Sequence, residues 1–349
     1  MKASVQERRS DYLKSFFPHG TPSLWCPLLT HYDGNGRIDR ARMAAHLSHL
    51  SPYVGGFLIP GSTGDGWELT RDERQEAVRI GVEQAKRLNR QVLVGALNAD
   101  TAEALALIEE DLRWLKSEFL EPDIHKLLAQ AHICGFTICP PRGRGLTQDD
   151  LGRALRSVLE LDLPTAIYQL PQVTLNEMSP ELVAALAASY GNFVFFKDTS
   201  GTDAVTGSGK DLGGVFAIRG AEGDYARWLK ASGGSYDGLL LSSANCFARE
   251  LAQIISDASA GRAVEARQLS DRVSAAVLEL FRRAEPLPHG NPFANANKAA
   301  DHFFAYGPRA TAVPPPRLHA GTQLPADFIQ AAEEILLREH LMPATGYSE

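Results

Sequence analysis

The sequence has few cysteines, no long apolar run and no excess of positive charge. Its 349 residues include 4 cysteines, which are scattered without a Cys-x-x-Cys pair, so neither a zinc site nor a disulfide framework is indicated. No stretch approaches the roughly 18 apolar residues that a membrane span requires. The formal net charge of -7 argues against a nucleic-acid or anionic-membrane partner. With its polar first ten residues, the chain is expected to be cytoplasmic, with reduced thiols.

Short β-branched or aromatic runs alternate with longer stretches of helical periodicity. This alternation is typical of repeated βα units around a parallel sheet that is buried on both faces. Eight strands are predicted: Ser23–Leu29, Val54–Pro60, Gln91–Leu97, Gly135–Pro140, Thr165–Leu170, Asn192–Lys197, Val215–Arg219 and Gly238–Ser242. Eight such units predict an α/β fold of the (β/α)8 TIM-barrel type, in which chemistry is sought at the carboxyl ends of the strands.

The pattern also predicts how the chain is divided. We expect an N-terminal segment over residues 1–21, the barrel over 22–260 and a C-terminal helical extension over 261–349. The region near 101–130 carries two helical patterns where one helix would suffice, which indicates a helical insertion in the outer layer.

Lys197 is the first candidate for chemistry. It closes a run of strand-forming residues and is followed at once by a loop, Asp198-Thr-Ser-Gly201. An apolar strand end can desolvate an ammonium group and lower its pKa enough to expose an amine that attacks carbonyls. On this segment alone, a solvated lysine at the edge of a strand is an equal alternative.

Two further strand ends carry polar side chains. The loop Gly61-Ser-Thr-Gly-Asp-Gly66 follows the second strand, and its glycines, hydroxyls and N–H groups suit a carboxylate, although a tight turn explains them as well. Tyr168 ends the fifth strand, where its phenol can move a proton or simply belong to the core.

Taken together and in order, these motifs resemble a known family. Gly61-Ser-Thr-Gly64, Tyr168-x-x-Pro171 and Phe196-Lys197 with Asp-Thr-Ser-Gly201 are similar to the pyruvate-type class I aldolases of the dihydrodipicolinate synthase and N-acetylneuraminate lyase superfamily. The resemblance covers roughly residues 22–307. Among its members, the chain looks closer to the lyases.

The resemblance implies a role for each matching residue. Lys197 would form a Schiff base with a 2-oxo acid, and Ser62 and Thr63 would hold its carboxylate. Tyr168 would relay a proton with help from the Thr63 hydroxyl. Neither a metal nor an organic cofactor is then required, because the iminium itself accepts the electrons.

Departures from the family pattern narrow the expectation. Gln172-Val-Thr174 follows the tyrosine motif where a dihydrodipicolinate synthase would carry an arginine, so that activity is disfavoured. Thr199 and Glu222 stand where the sialic-acid lyase meets a polyol, although a solvated carboxylate is the alternative for Glu222. Ser242 follows the eighth strand, where lyase relatives bind hydroxyls.

Two features of the loops remain open. Arg142 follows the fourth strand and is a candidate for a distal carboxylate or phosphate, although a solvated side chain is the more ordinary reading. The tyrosine with which family members reach a neighbouring subunit appears at no matching position in this loop. A homo-oligomer, tetramer or dimer, is still expected from the resemblance.

The leading hypothesis is therefore a Schiff-base lyase that cleaves a 2-oxo-3-deoxy sugar acid into pyruvate and an aldehyde, or condenses the two. The first alternative is a sugar-acid dehydratase or hydratase that uses the same lysine. The second, from another class, is a non-catalytic 2-oxo acid sensor on the barrel scaffold. The partners expected are small molecules.

Overall fold

A closed barrel of parallel strands forms the centre of the protein, as seen in a computed structural model that describes residues 3–348. Each strand pairs with its neighbour in sequence, and the first pairs with the last. The strands are β1 Leu24–Pro27, β2 Gly56–Ile59, β3 Gln91–Gly95, β4 Ile133–Ile138, β5 Thr165–Gln169, β6 Phe193–Asp198, β7 Phe216–Arg219 and β8 Gly238–Leu240. Each overlaps one of the eight predicted strands, so the predicted TIM barrel is confirmed.

Helices surround the barrel and extend beyond it. In the described part of the chain they are α1 Val5–Phe16, α2 Arg40–Leu50, α3 Arg71–Leu88, α4 Thr101–Phe119, α5 Ile124–Gln130, α6 Gln148–Leu159, α7 Pro171–Thr174, α8 Pro180–Ser189, α9 Ala204–Gly207, α10 Tyr225–Trp228, α11 Ala244–Ser259, α12 Ala263–Ala284, α13 Pro292–Tyr306 and α14 Ala326–Arg338. Short 3-10 turns lie at Ser62–Gly64, Lys230–Ser232 and Gly307–Ala312. None of the helices in residues 3–348 is long and apolar enough to cross a membrane.

The strands are buried nearly throughout because helices cover the outside of the barrel and side chains fill its interior. Helix capping follows the sequence closely. The Thr70 hydroxyl accepts from the backbone N–H of Glu73, and the Glu73 carboxylate accepts from the backbone N–H of Thr70, so a capping box opens α3. Ser179 caps α8, with Pro180 in its first turn.

The N-terminal segment contains a helix that sequence reasoning did not predict. Ser4 and Glu7 form a capping box at its start, and Ser4-x-x-Glu7 was the signal that could have revealed it. Arg9 on this helix is buried and donates to the carbonyl oxygens of Phe193 (2.7 Å) and Tyr190 (2.9 Å). Helix α1 therefore packs against the barrel where β6 begins. This end is opposite to the carboxyl ends of the strands. Residues 1 and 2 of the predicted segment lie outside the described part.

Two helices occupy the predicted insertion, α4 and α5, and Leu120 between them adopts a left-handed conformation with φ of 52°. Helices α12, α13 and α14 pack on one another, and α12 also packs on α11. The divisions at 21/22 and 260/261 stay predictions, and residue 349 of the predicted extension lies outside the described residues.

Candidate functional site

Lys197 and Tyr168 are neighbours on adjacent strands. They are paired in the register of β5 and β6, so both side chains point into the same end of the barrel. Lys197 is 4% exposed and Tyr168 is 2% exposed. Lys197 Nζ lies 3.9 Å from the centre of the Tyr168 ring. The amine thus meets an aromatic face in an environment with little water.

Burial changes the acid–base behaviour of Lys197. Desolvation lowers its pKa from 10.5 to about 7, although the nearby Cys139 and Glu222 act in the opposite direction. The aromatic face would also favour the ammonium, so desolvation is the dominant effect. At pH 7 about half of such amines are neutral, whereas an ordinary lysine is almost entirely protonated.

A glycine leaves room for the lysine. A Cβ on Gly220, just after β7, would lie 2.8 Å from Lys197 Cε and 2.6 Å from Thr199 Cγ2. Both separations are shorter than real Cβ contacts. Residue 220 must therefore lack a side chain for Lys197 and Thr199 to keep their positions.

Tyr168 is kept protonated by its surroundings. Burial raises the pKa of its phenol, Cys139 acts in the same direction, and the nearby Thr199 and Ser62 hydroxyls only partly oppose the shift. The Thr199 hydroxyl itself donates to the backbone oxygen of Gln169 at 2.7 Å. The Ser62 hydroxyl accepts from the Trp67 indole N–H at 2.8 Å. The expected help from the Thr63 hydroxyl stays a prediction.

The Ser62–Gly64 turn places Thr63 beside this pair. Thr63 is 5% exposed, and in the described residues no hydrogen bond of its hydroxyl to another protein group is found. Ser62 and Thr63 are the first two residues of the short 3-10 turn after β2. Ser62 and Thr63 line the same cavity as Lys197, and their role in binding a carboxylate stays a prediction.

A cavity of about 450 Å³ opens above the amine. Among the predicted site residues, Lys197, Tyr168, Thr63, Ser62, Thr199, Glu222 and Ser242 line it. Its outer wall comes from the C-terminal helices: Leu278 and Phe281 on α12, and Asn291 and Phe293 at the start of α13. Sequence reasoning missed these four because no motif marks them.

Comparison with known proteins decides the family. Residues 130–290 match the model of the Dihydrodipicolinate synthetase family. A 4-hydroxy-tetrahydrodipicolinate synthase of Chelativorans sp. is 30% identical over 274 residues, which cover 76% of this chain and 85% of the relative. The chain belongs to the dihydrodipicolinate synthetase family. A 4-hydroxy-tetrahydrodipicolinate synthase of Agrobacterium fabrum is 28% identical over 250 residues, covering 70% of this chain and 78% of that relative.

Solved structures share the architecture. YagE, a prophage protein of E. coli solved in complex with pyruvate, superposes with a TM-score of 0.70 at 19% identity, covering 92% of this chain and 99% of its own. KD(P)GA from T. tenax gives 0.71 at 19% identity, covering 91% and 99%. At this identity the likeness concerns the fold. Family membership makes the chain an enzyme of the class I, Schiff-base lyase type.

The Glu222 carboxylate already accepts hydrogen bonds from neighbouring residues of the protein. Its Oε1 accepts from the Ser242 hydroxyl at 2.7 Å and from the Ser243 N–H at 3.0 Å. Its Oε2 accepts from the Ser243 hydroxyl at 2.6 Å and from the Tyr225 hydroxyl at 2.9 Å. A carboxylate accepts about four hydrogen bonds, so Glu222 has little capacity left for a polyol, and the Ser242 hydroxyl has used its proton.

Arg142 does not join the other predicted residues. Its side chain is exposed and does not contribute to the cavity lining. The loop is instead fixed by its backbone, since the Arg142 N–H donates to the Ala99 oxygen at 2.9 Å. The position of Arg142 therefore does not support the suggested contact with a distal anion.

A second group of titratable residues lies outside the cavity. His31, His46 and Asp301 are buried, with potential metal-ligand atoms within 4.8 Å of one another. However, Arg42 Nη2 lies 2.6 Å from Asp301 Oδ2 and would have to be displaced by a cation. Burial alone would raise the pKa of Asp301, but His46 and Arg42 outweigh it and hold that pKa below its usual range. The group is best described as an ion-pair network that joins α2 to α13.

Proposed function

We propose that this enzyme is a lyase that forms a Schiff base between Lys197 and the keto carbon of a 2-oxo acid, and so cleaves or builds a carbon–carbon bond between pyruvate and an aldehyde. The observation that carries the proposal is the buried amine of Lys197, with its pKa lowered to about 7, beside the Tyr168 phenol in a cavity of about 450 Å³. A neutral amine is the form that attacks a carbonyl.

The geometry suggests an order of events. The Lys197 amine adds to the keto carbon, and loss of water gives the iminium. Ser62 and Thr63 bind the carboxylate of the 2-oxo acid through their hydroxyls and N–H groups. Tyr168 stays protonated because burial raises its pKa, so it donates a proton to the leaving oxygen and recovers it later. We expect the Thr199 and Ser62 hydroxyls, which line the same cavity, to orient the phenol.

From the sequence, a 2-oxo-3-deoxy sugar acid is the expected substrate of this lyase, and the alternative reaction is dehydration or hydration of a sugar acid. Thr199 and Ser242 line the cavity, but their hydroxyl groups already donate to the Gln169 oxygen and to Glu222, so they can only accept a hydrogen bond from a substrate hydroxyl. A dehydratase would use the same Lys197 and Tyr168 on that substrate. Lyase and dehydratase differ in their products: a lyase releases pyruvate, whereas a dehydratase gives a 2-oxo acid with an unchanged number of carbon atoms.

The first test traps the intermediate. The enzyme is incubated with pyruvate and borohydride, and its intact mass is measured, because reduction converts an iminium to a stable secondary amine. We expect a pyruvate adduct on the wild type and on Lys126→Ala, an exposed lysine outside the cavity, but none on Lys197→Ala. Peptide mapping should place the adduct at position 197. An adduct that persists in Lys197→Ala would overturn the proposed nucleophile.

We propose further that the enzyme acts in the cytoplasm as a homo-oligomer without a metal or organic cofactor. The homo-oligomer is proposed from the resemblance to the aldolase superfamily. The cysteines, all buried and free, suit a reducing compartment. Sedimentation at several protein concentrations measures the assembly, and activity that survives exhaustive treatment with chelator would support catalysis without a metal.

A further inference from the structure

The outer half of the cavity is apolar, although its inner half is polar. Trp67, Leu170 and Val173 line one side, and Leu278, Phe281 and Phe293 line the other. The Phe281 and Phe293 rings meet edge to face with centres 4.9 Å apart. This apolar wall stands where the aldehyde half of a substrate on Lys197 would extend.

We propose that the aldehyde taken by this enzyme is uncharged and apolar, of the aromatic or branched aliphatic class, and that helices α12 and α13 select it. The inference rests on the proposed Schiff-base function and names its second substrate. It favours an apolar aldehyde over a sugar aldehyde as that second substrate.

One part of this apolar wall belongs to a packed cluster. Leu97, Cys139, Tyr168 and Leu170 form a buried cluster separate from the main core, and Trp67 and Val173 pack against it. Of this cluster, Tyr168, Leu170, Trp67 and Val173 line the cavity and give it an apolar surface beside Lys197. A flat apolar ring or a branched chain would cover it and release water, whereas a polyol would lose hydrogen bonds to water there.

The polar groups of the outer cavity are largely engaged already. The Gln172 amide donates to the Thr199 oxygen at 2.9 Å. The Asn291 amide donates to the Ser62 oxygen at 3.0 Å, and its oxygen caps α13. Glu222 accepts four hydrogen bonds from its neighbours. A chain of hydroxyl groups would therefore find few free partners.

The charges at the cavity also exclude an anionic aldehyde. Of the described residues that line it, Lys197 is the only one with a basic side chain, and that amine is consumed by the Schiff base. Glu68 adds a carboxylate to the lining. A carboxylate or phosphate on the aldehyde would meet repulsion without a compensating cation.

The proposed condensation balances without an added oxidant or reductant. Pyruvate loses water to Lys197 as the iminium forms, and loss of a proton from its methyl group gives an enamine. The enamine carbon bonds to the aldehyde carbon, the aldehyde oxygen takes up a proton, and water releases the 4-hydroxy-2-oxo acid. With benzaldehyde, the product contains all atoms of pyruvate and benzaldehyde.

The test compares three aldehydes with pyruvate and the whole enzyme: benzaldehyde, glyceraldehyde and succinic semialdehyde. We expect kcat/KM for benzaldehyde to exceed that for each of the others at least about tenfold, since burial of several apolar groups discriminates by this much or more. A preference for glyceraldehyde or for succinic semialdehyde would overturn the inference. Borohydride trapping of pyruvate on the same enzyme separates the two proposals, because its failure rejects the Schiff-base function itself.

A matched pair of variants tests the role of the C-terminal helices. Leu278 is 53% exposed and lines the cavity, whereas Leu337 on α14 is 55% exposed and does not. We expect Leu278→Gln to lower the ratio of benzaldehyde to glyceraldehyde kcat/KM about tenfold, and Leu337→Gln to leave it unchanged. Equal ratios in both variants and the wild type would show that α12 does not select the aldehyde.

Discussion

Lys298 Nζ donates a hydrogen bond to Asp65 Oδ2 across 2.6 Å, and the two side chains are 1% and 5% exposed. The residues are 233 positions apart in the chain. Asp65 ends the turn that carries Ser62 and Thr63 and has a φ of 57°, in the left-handed region that aspartate tolerates. The buried pair thus holds the proposed carboxylate-binding turn against helix α13.

Removing only one member of the buried pair of Lys298 and Asp65 should destabilise the protein strongly. We expect Lys298→Met to lower the free energy of unfolding by about 3 to 5 kcal/mol, because Asp65 would be left as a buried charge with only the Tyr32 hydroxyl as a side-chain partner. Urea denaturation measures the change. Lys210→Met is the control, since it removes a lysine from an exposed ion pair with Glu181 and should cost less than about 1 kcal/mol.

The double variant makes this prediction sharper. In Asp65→Asn with Lys298→Met, no charge remains buried, so part of the lost stability should return. If the double variant loses as much stability as the two single variants together, the residues are not coupled, and the interpretation of the contact is wrong.

The rate of Schiff-base formation should depend on the ionisation of Lys197. The amine reacts only when neutral, and burial lowers its pKa to about 7. We therefore expect the rate of pyruvate adduct formation to rise with pH and to level off above an apparent pKa near 7. Rapid quenching with borohydride at a series of pH values measures it. A rate still rising steeply above pH 9 would show that Lys197 is an ordinary lysine.

The same lowered pKa should cost the folded protein stability. Between about pH 7 and 10.5 the unfolded chain binds the Lys197 proton more strongly than the native protein, so stability rises with pH across this interval. Below it the penalty is constant. We expect Lys197→Met to be more stable than the wild type by roughly 2 to 4 kcal/mol at pH 6, with the gain shrinking toward pH 10.

Thermal or urea unfolding at pH 6 and pH 10 tests this trade-off. The exposed Lys126→Met provides the baseline for removing a lysine. If Lys197→Met is less stable than the wild type at pH 6, then burial of the Lys197 ammonium does not destabilise the folded protein, and the argument is wrong.

Gly220 should be needed for the position of the lysine. A methyl group there would overlap Lys197 Cε and Thr199 Cγ2, and the flexible lysine is the group that would move. We expect Gly220→Ala to slow pyruvate adduct formation at least about tenfold, since small misplacements of reacting groups are expensive. Gly145→Ala is the matched control, because no atom lies within 4 Å of the Cβ that it adds. Equal trapping rates in both variants would refute the steric argument.

Removing the Tyr168 hydroxyl should slow the reaction while the ring remains. We expect Tyr168→Phe to reduce the rate of adduct formation about 100-fold or more, as for the loss of a positioned proton donor. Near-UV circular dichroism checks that the ring stays packed on Lys197. The partly exposed Tyr190→Phe is the control. A loss of less than about threefold would assign Tyr168 to packing alone.

Much of the fold and the centre of the site were determined by local sequence. The eight strand positions follow from apolar runs of the right length, because burial on both faces leaves little choice of side chain. Lys197, Tyr168, Ser62 and Thr63 each stand where a strand ends, and the barrel topology alone brings strand ends to one mouth. Local sequence marks these residues as candidates, and the family resemblance is what favours chemistry over a solvated lysine, a tight turn and a core tyrosine.

Only the tertiary structure decided what covers that mouth. Leu278, Phe281 and Phe293 reach the cavity because α12 and α13 fold back over the barrel, and nothing in their local sequence sets that path. The Lys298 contact with Asp65 and the clearance at Gly220 likewise depend on distances between residues far apart in the chain. Local periodicity determines which face of an element is apolar, whereas packing determines what that face touches.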